Sequence, residues 1–489
     1  MTPRPNLLLI TTDQQRGDCL GCDGHPVLET PYLDELAEGG ARFNHAYTSV
    51  PSCTPARAGI LTGMDQWNHG RLTMTGADPL EYPATLPGEL ADAGYHTQAV
   101  GKMHFHPQRR LHGFHHMVLD ESGRRLGNFI SDYHVFFEKH KAGEYGYRDH
   151  SVDWNSWMAR PSHLPEHLHP THWTASEGIR FLENRDPTKP FFLWLSFARP
   201  HSPYDAPQTY YDMYIDNPDV PKAAVGTWSA RYDRQIADVN APRTRRTDAE
   251  THRARAAYYG NITFIDHQIG RVLHELRRHD PAASANTLIL FTSDHGDMMG
   301  DHHHWRKTYA YEGSARIPFI MKFPDTWDIS RNRTLGQPVE LRDIMPTFLD
   351  AAGVPVPESV DGLSLLRLSR GETDGWRAFV QGEHTTCYDK EHGMQYVTDG
   401  REKYIWFHHT GVEQFFDLDA DPLECNDLAA ESNLQPRIDV WRRRLAGINE
   451  DRGDPRGRNG RLVPQPDGAL SLSPNYEKWK QRAKALEGA

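Results

Sequence analysis

Residues 5–18 read PNLLLITTDQQRGD: an unbroken apolar and β-branched run that stops abruptly at an aspartate and two glutamines. A strand wet on one face would alternate apolar and polar. A continuous run predicts a strand covered on both faces, the central position of a parallel sheet. The same form recurs in HTQAVGK (96–102), PFFLWLSFA (190–198) and TLILFTSD (287–294), with RIPFIMKF (316–323) as a further strand. Between these runs lie helix signatures. TPYLDELAEG (30–39) and TLPGELADAG (85–94) open on Thr or Thr-Pro and close on Gly, 246–279 is a long helical stretch, and LRDIMPTFLDAAG (341–353) is another helix. Strands alternating with helices predict an α/β sandwich with a mostly parallel sheet.

The texture changes near residue 375. MQYVTDG and REKYIWF (394–407) predict a hairpin with Asp-Gly at its turn, and a helix follows at about 433–448. The chain therefore divides into a large α/β domain, 1–375, and a C-terminal subdomain, 376–489, with a small antiparallel sheet, a helix and an extended tail. The tail from about 453 is polar and Arg-rich, yet it carries Leu470, Leu472, Tyr476 and Trp479. Those residues predict an arm that docks, either on a second copy in a homo-oligomer or back on its own subunit.

The 489 residues carry a net charge of −12, which argues against nucleic acid as a partner. The apolar run near the N-terminus is too short for a signal core, and no later stretch approaches the ~20 residues of a membrane span. The expectation is a soluble, cytoplasmic protein without a membrane partner. Five scattered cysteines do not form a disulfide framework. Cys19 and Cys22 make a lone CxxC, which lacks the second pair a structural zinc needs.

Ligands of open parallel sheets bind at the carboxyl ends of the strands. Those ends offer Asp13 and Gln14, Asp294 and His295, and Lys102 with His104. The carboxylates and the amide suit a hard cation such as calcium, magnesium or manganese, and the imidazole tilts toward manganese or zinc. Arg57, Lys102 and Lys307 would suit a tetrahedral oxyanion beside that metal. His104, and His201 in RPHSPYDAP, could move protons. Each alone has a blander reading as cap, surface cation or core residue. Cys53, in PSCTPARAGILTG (51–63), reads either as a small buried residue at a helix start or as a nucleophile.

Several stretches together narrow these readings. CTPAR (53–57) followed by LTG resembles the Cys-x-Pro-x-Arg signature of type I sulfatases in the alkaline phosphatase superfamily. GKMH (101–104), TSDHGDMMGDHHHWRKTYAYEGSARIPFI (292–320) and QFFDLDADPLECNDLA (414–429) resemble further elements of that family, in the same order. The resemblance implies an alkaline-phosphatase-like α/β/α sandwich and hydrolysis of sulfate esters. It implies that a formylglycine-generating enzyme oxidises Cys53 to formylglycine (3-oxoalanine). The hydrated aldehyde attacks with one hydroxyl and collapses through the other to expel sulfate. Asp13, Gln14, Asp294, His295 and residue 53 would bind one divalent metal, Ca2+ first and Mn2+ second. Arg57 would hold the gem-diol, Lys102 and Lys307 the sulfate oxygens. His104 would take the proton that regenerates the aldehyde, and His201 would protonate the leaving alcohol. The substrate would be a small-molecule or saccharide sulfate ester. Asp-Gln and Asp-His, where many sulfatases carry Asp-Asp and Asp-Asn, look more like the phosphonate monoester hydrolase and choline sulfatase branches. A phosphonate monoester or phosphodiester hydrolase with the same nucleophile is therefore the alternative.

Overall fold

The computed structural model describes residues 4–74, 78–124, 127–466, 468 and 471–487. The main sheet takes eight strands: β1 (Asn6–Asp13), β2 (Gly40–Phe43), β3 (His96–Gly101), β4 (His116–Leu119), β5 (Phe191–Pro200), β6 (Thr287–Ser293), β7 (Phe319–Lys322) and β8 (Arg333–Leu335). Their order is β4-β3-β5-β1-β6-β7-β2-β8, parallel except where β7 runs against β6 and β2. The continuous apolar runs explain the centre. Leu7 and Leu9 point to one face and Leu8 and Ile10 to the other, all fully buried.

Each face needs its own cover. Helices α1 (Pro31–Glu38), α4 (Pro170–Asn184) and α5 (Asp248–His279) pack on the Leu8/Ile10 face. Helices α2 (Cys53–Thr62), α3 (Leu86–Asp92) and α6 (Ile344–Ala352) pack on the Leu7/Leu9 face. The result is the α/β sandwich the strand pattern predicts, in the three α/β/α layers the resemblance implies. A second sheet, β9 (Val380–His384), β10 (Met394–Thr398), β11 (Glu402–Phe407) and β12 (Glu413–Asp417), is antiparallel throughout. One of its faces lies on Tyr47 and Tyr311, the other under Ile438, Trp441 and Leu445 of α7 (Gln435–Asp451).

The tail corrects one expectation. It is neither extended nor spare: a two-residue hairpin (Gly457–Arg458 with Arg461–Leu462) leads to α8 (Pro474–Glu487). Tyr476 and Trp479 are buried in the main core of their own chain, where Trp479 Nε1 donates to the Asn68 carbonyl at 2.7 Å. The arm therefore folds back on its own subunit. Tyr476 and Trp479, with Leu472 packed against the same core, are spent there and do not argue for docking on a second copy. Leu470 lies outside the described residues. No described helix is long and apolar enough to cross a membrane.

Candidate active site

Four neighbouring parallel strands deliver the site. Asp13 ends β1, Asp294 and His295 follow β6, Lys102 follows β3 and His201 follows β5. Cys53 enters from above as the first residue of α2, where unpaired helix amides favour an anion. One turn on, Arg57 lies on the same face of the helix. It donates from Nε to Asp294 Oδ2 at 3.0 Å and from Nη2 to Asp13 Oδ2 at 3.4 Å, and it also bonds Ser196 Oγ and the Lys102 carbonyl. Arg57 thus ties three strand ends to the cysteine helix.

Cys53 Sγ lies 3.1 Å from Lys307 Nζ, 3.3 Å from His295 Nε2, 3.7 Å from Asp13 Oδ1 and 3.9 Å from Lys102 Nζ. Lys102 also pairs with Asp13 Oδ2. Burial and Asp13 push the Cys53 thiol up, but Lys102, Lys307 and His295 outweigh them and bring it to about 7. For Asp13, burial is overcome chiefly by Lys102, with Lys307 beside it, so its carboxyl stays well below the usual range. Burial lowers the Lys102 ammonium. Lys307 is also desolvated, but Cys53 and Asp13 raise it.

Two tautomers follow from geometry, since a carbonyl only accepts. His201 Nδ1 lies 2.7 Å from the Ser202 carbonyl and must carry the proton, leaving Nε2 to accept from Lys307 Nζ at 2.9 Å. Burial and Lys307 hold His201 neutral, well below its ordinary value. His295 Nδ1 donates to the Gly296 carbonyl at 2.9 Å, so Nε2 is the nitrogen that faces the cluster; burial disfavours the charged ring there, but Asp294 and Cys53 outweigh it and raise the group above its ordinary value. His104 is placed differently. Its ring accepts from Arg124 rather than from any group on Cys53 among the described residues, and burial with Arg124 and Lys102 keeps it neutral.

The donor set fits a divalent cation. Ligand atoms of Asp13, Cys53, Asp294 and His295 all lie within 4.8 Å of one another and are fully buried. The Gln14 amide oxygen is buried and has no hydrogen-bond partner, as a ligand awaiting an ion would be. Gln14 sits at φ 75°, a conformation disfavoured outside glycine that aims the residue from the strand end.

The sequence reading missed Ser196, Asp297 and His384. Asp297 receives Gln14 Nε2 and the Tyr204 hydroxyl. His384 accepts from the Cys387 amide at Nδ1, so its Nε2 hydrogen meets Ser52 Oγ at 3.2 Å beside the nucleophile. Only Asp297 had a local signal, the second aspartate of DHGD; His384 arrives from the C-terminal sheet with none. Trp67, Tyr204 and Tyr309 are buried and pack in the interior. Cys19 and Cys22 are free, and burial pushes the Cys22 thiol up to about 12, which makes it inert.

Comparison with known proteins agrees with this geometry. The sulfatase family model matches residues 5–354, and the model for the C-terminal region of N-sulphoglucosamine sulphohydrolase matches 300–451. An arylsulfatase of Clostridium perfringens (strain 13 / Type A) is 43% identical over 90% of this chain and 94% of its own length. A choline-sulfatase of Rhizobium meliloti (strain 1021) is 30% identical over 88% of this chain and 83% of its own. The crystal structure of a phosphonate monoester hydrolase of Agrobacterium radiobacter superposes with a TM-score of 0.75 at 26% identity, covering 92% of this chain and 96% of that one.

Proposed function

The chain belongs to the sulfatase family, and from that premise we propose that Cys53 is the precursor of a formylglycine nucleophile and that the strand-end pocket holds one divalent cation, Ca2+ before Mn2+. The activity is hydrolysis of sulfate esters, releasing sulfate and an alcohol. The observation that carries the proposal is the position of Cys53 Sγ, at a helix start and within reach of Asp13, His295 and two buried lysines.

Formylglycine, once hydrated, supplies two hydroxyls on one carbon, one for attack and one for release. The bound cation supplies positive charge that favours the ionised hydroxyl. The chain does the rest. Arg57 fixes Asp13 and Asp294 in place. Lys102 and Lys307 flank residue 53 from two sides and take the sulfate oxygens, where each donor is worth about 3–4 kcal/mol in other enzymes. The proton for the leaving alcohol sits on Lys307 Nζ, shared with the open Nε2 of His201. The resemblance gives His104 the base's part when the aldehyde is regenerated, for which its ring must first give up Arg124.

For the alcohol, the mouth beside Lys307 favours aryl or saccharide over choline-like esters. Tyr388, close enough to Lys307 for the two groups to act on each other, is 39% exposed, and the Arg306 guanidinium lies 4.6 Å over its ring. A ring face already covered by a cation is a poor seat for a quaternary ammonium. Gln14, in place of a second carboxylate, makes the ligand set less negative and supports phosphonate monoester hydrolysis as the second reading. Maturation needs a formylglycine-generating enzyme as partner. A homo-oligomer and a cytoplasmic location belong to the same proposal; light scattering tests the first and cell fractionation the second.

The experiment is co-expression with a formylglycine-generating enzyme, mass analysis of the Cys53 peptide, and kinetics on aryl sulfate, choline sulfate, sulfated sugar and phosphonate esters, with and without chelator. Turnover of sulfate esters should rise with the fraction of formylglycine and vanish on chelation. Equal turnover by wholly unmodified protein would overturn the nucleophile, and preference for phosphonates would install the second reading.

A further inference from the structure

Every polar group of Gln14 but one is spoken for. Its backbone N–H donates to Asp294 Oδ1 at 3.1 Å, its carbonyl accepts from the Tyr258 hydroxyl at 2.6 Å, and Nε2 donates to Asp297 Oδ2 at 2.5 Å. Only Oε1 is left, buried and without a donor. An amide alone does not choose which end it shows, because its two ends have nearly the same shape and exchange by a half-turn. Something must break that symmetry if an oxygen is to face a cation.

Asp297 does so. It is fully buried, and four groups converge on it. Oδ1 accepts from the backbone N–H groups of Met299 at 3.0 Å and Arg306 at 2.9 Å, donors that cannot reverse. Oδ2 accepts from the Tyr204 hydroxyl at 2.6 Å and from Gln14. A carboxylate with two fixed amides on one oxygen offers only an acceptor on the other. Gln14 must meet it with the amino end, which leaves Oε1 as its free end.

We propose that Asp297 is a positioning residue of the metal site: it fixes the Gln14 amide so that Oε1, not Nε2, faces the cation, while its own charge stays one residue away from the ion. The proposal rests on reading Gln14 as a metal ligand. Asp297→Asn keeps the shape and inverts the logic. The two backbone amides claim the asparagine oxygen, so its Nδ2 confronts Gln14 Nε2. Gln14 turns over and shows its amino group to the cation. The double variant Gln14→Glu/Asp297→Asn repairs the pair, because one glutamate oxygen accepts from the new Nδ2 and the other stays free for the metal, at unchanged net charge.

The test is isothermal titration of Ca2+ and of Mn2+ into metal-stripped full chain, with melting temperature as the folding control, so that turnover and Cys53 maturation play no part. Asp297→Asn should weaken binding by about 10–100-fold, the usual effect of a residue that orients a ligand. Gln14→Glu/Asp297→Asn should recover to within a few-fold of the parent, and Gln14→Ala should weaken binding as well. Wild-type affinity in Asp297→Asn with weakened Gln14→Ala overturns the positioning role and leaves the ligand reading standing. Wild-type affinity in Gln14→Ala overturns the ligand reading and, with it, the proposal. Loss in Asp297→Asn without recovery in the double variant shows that Asp297 acts on the fold and not through Gln14, which also overturns it.

Discussion

Two buried clusters of charge lie back to back in this protein, and they are built on opposite terms. Consecutive residues of β9 point to opposite sides: Glu383 into one cluster, His384 toward Ser52 beside the other. In the Glu383 cluster the carboxylates are saturated from within. Glu383 takes Arg452 Nη1 on Oε1 at 2.8 Å and Arg456 Nη2 on Oε2 at 2.6 Å, and Asp454 Oδ2 takes the same two guanidinium groups at 2.7 and 2.6 Å. Around Cys53, by contrast, the Gln14 oxygen has no donor, and His295 Nε2 and two lysines converge on a thiol. Burial of charge is common to both. Unfilled acceptors are what separate a cation site from a scaffold: the carboxylates of the closed cluster are taken, and its buried orphan, Arg456 Nη1, is a donor that cannot hold a metal.

The comparison breaks most visibly at Cys53. Cys53→Ala removes the one atom on which the open cluster converges, and sulfate-ester turnover should fall by roughly 10^4-fold or more, as when other nucleophiles are deleted. The melting temperature should fall by no more than a few °C, since Lys307 loses the sulfur but keeps His201 beside it. Turnover retained in purified Cys53→Ala would dissolve the distinction. The closed cluster should respond the other way round. Glu383→Gln leaves two buried guanidinium groups short of a partner, at a cost of about 3–5 kcal/mol read from urea midpoints. Protein of this variant that is still folded at low temperature should keep kcat/KM within a few-fold. A hundredfold loss there would mean that the closed cluster belongs to the chemistry too.

How far the sequence announced these clusters follows the same division. The sheet was legible because its central strands are buried on both faces, which forces unbroken runs such as LLLITT. The strand-end residues were legible because parallel strands bring their carboxyl ends to one edge, and Asp13, Lys102, His201 and Asp294 all meet there. His104 was found by the same rule, but its ring turns to Arg124. The closed cluster left no local trace, since it joins Glu383 to Arg452 and Arg456 across ~70 residues of chain and two elements, so nothing near either end shows a pattern. The tail misled for a related reason. Tyr476 and Trp479 look stranded among charged neighbours, and their partners are segment 67–82, some 400 residues away.

Acid gives the finest separation between the clusters. Burial pushes the Glu383 carboxyl up, but Arg452 and Arg456 outweigh it and hold the group well below the usual carboxylate range. Burial is likewise outweighed at Asp454, chiefly by Arg456, so that carboxyl is lowered as well. A carboxylate whose folded value is depressed resists a proton that the unfolded chain accepts near pH ~4.3. Its stabilisation is therefore complete above that unfolded value and drains away as pH falls from about 5 toward the folded value. Glu383→Gln removes one such group and should flatten the fall in stability between pH 6 and 4 by about 0.6 kcal/mol, the most that one carboxylate titrating near 4.3 in the unfolded chain can contribute over that range. The comparison is made in metal-stripped protein, because Asp13 carries a shift of the same sign and a bound cation would add its own acid release. Urea midpoints at pH 6, 5 and 4 give the slopes. If parent and Glu383→Gln lose stability in parallel, the acid sensitivity resides in the open cluster, and the closed one is held by something other than its ionised pair.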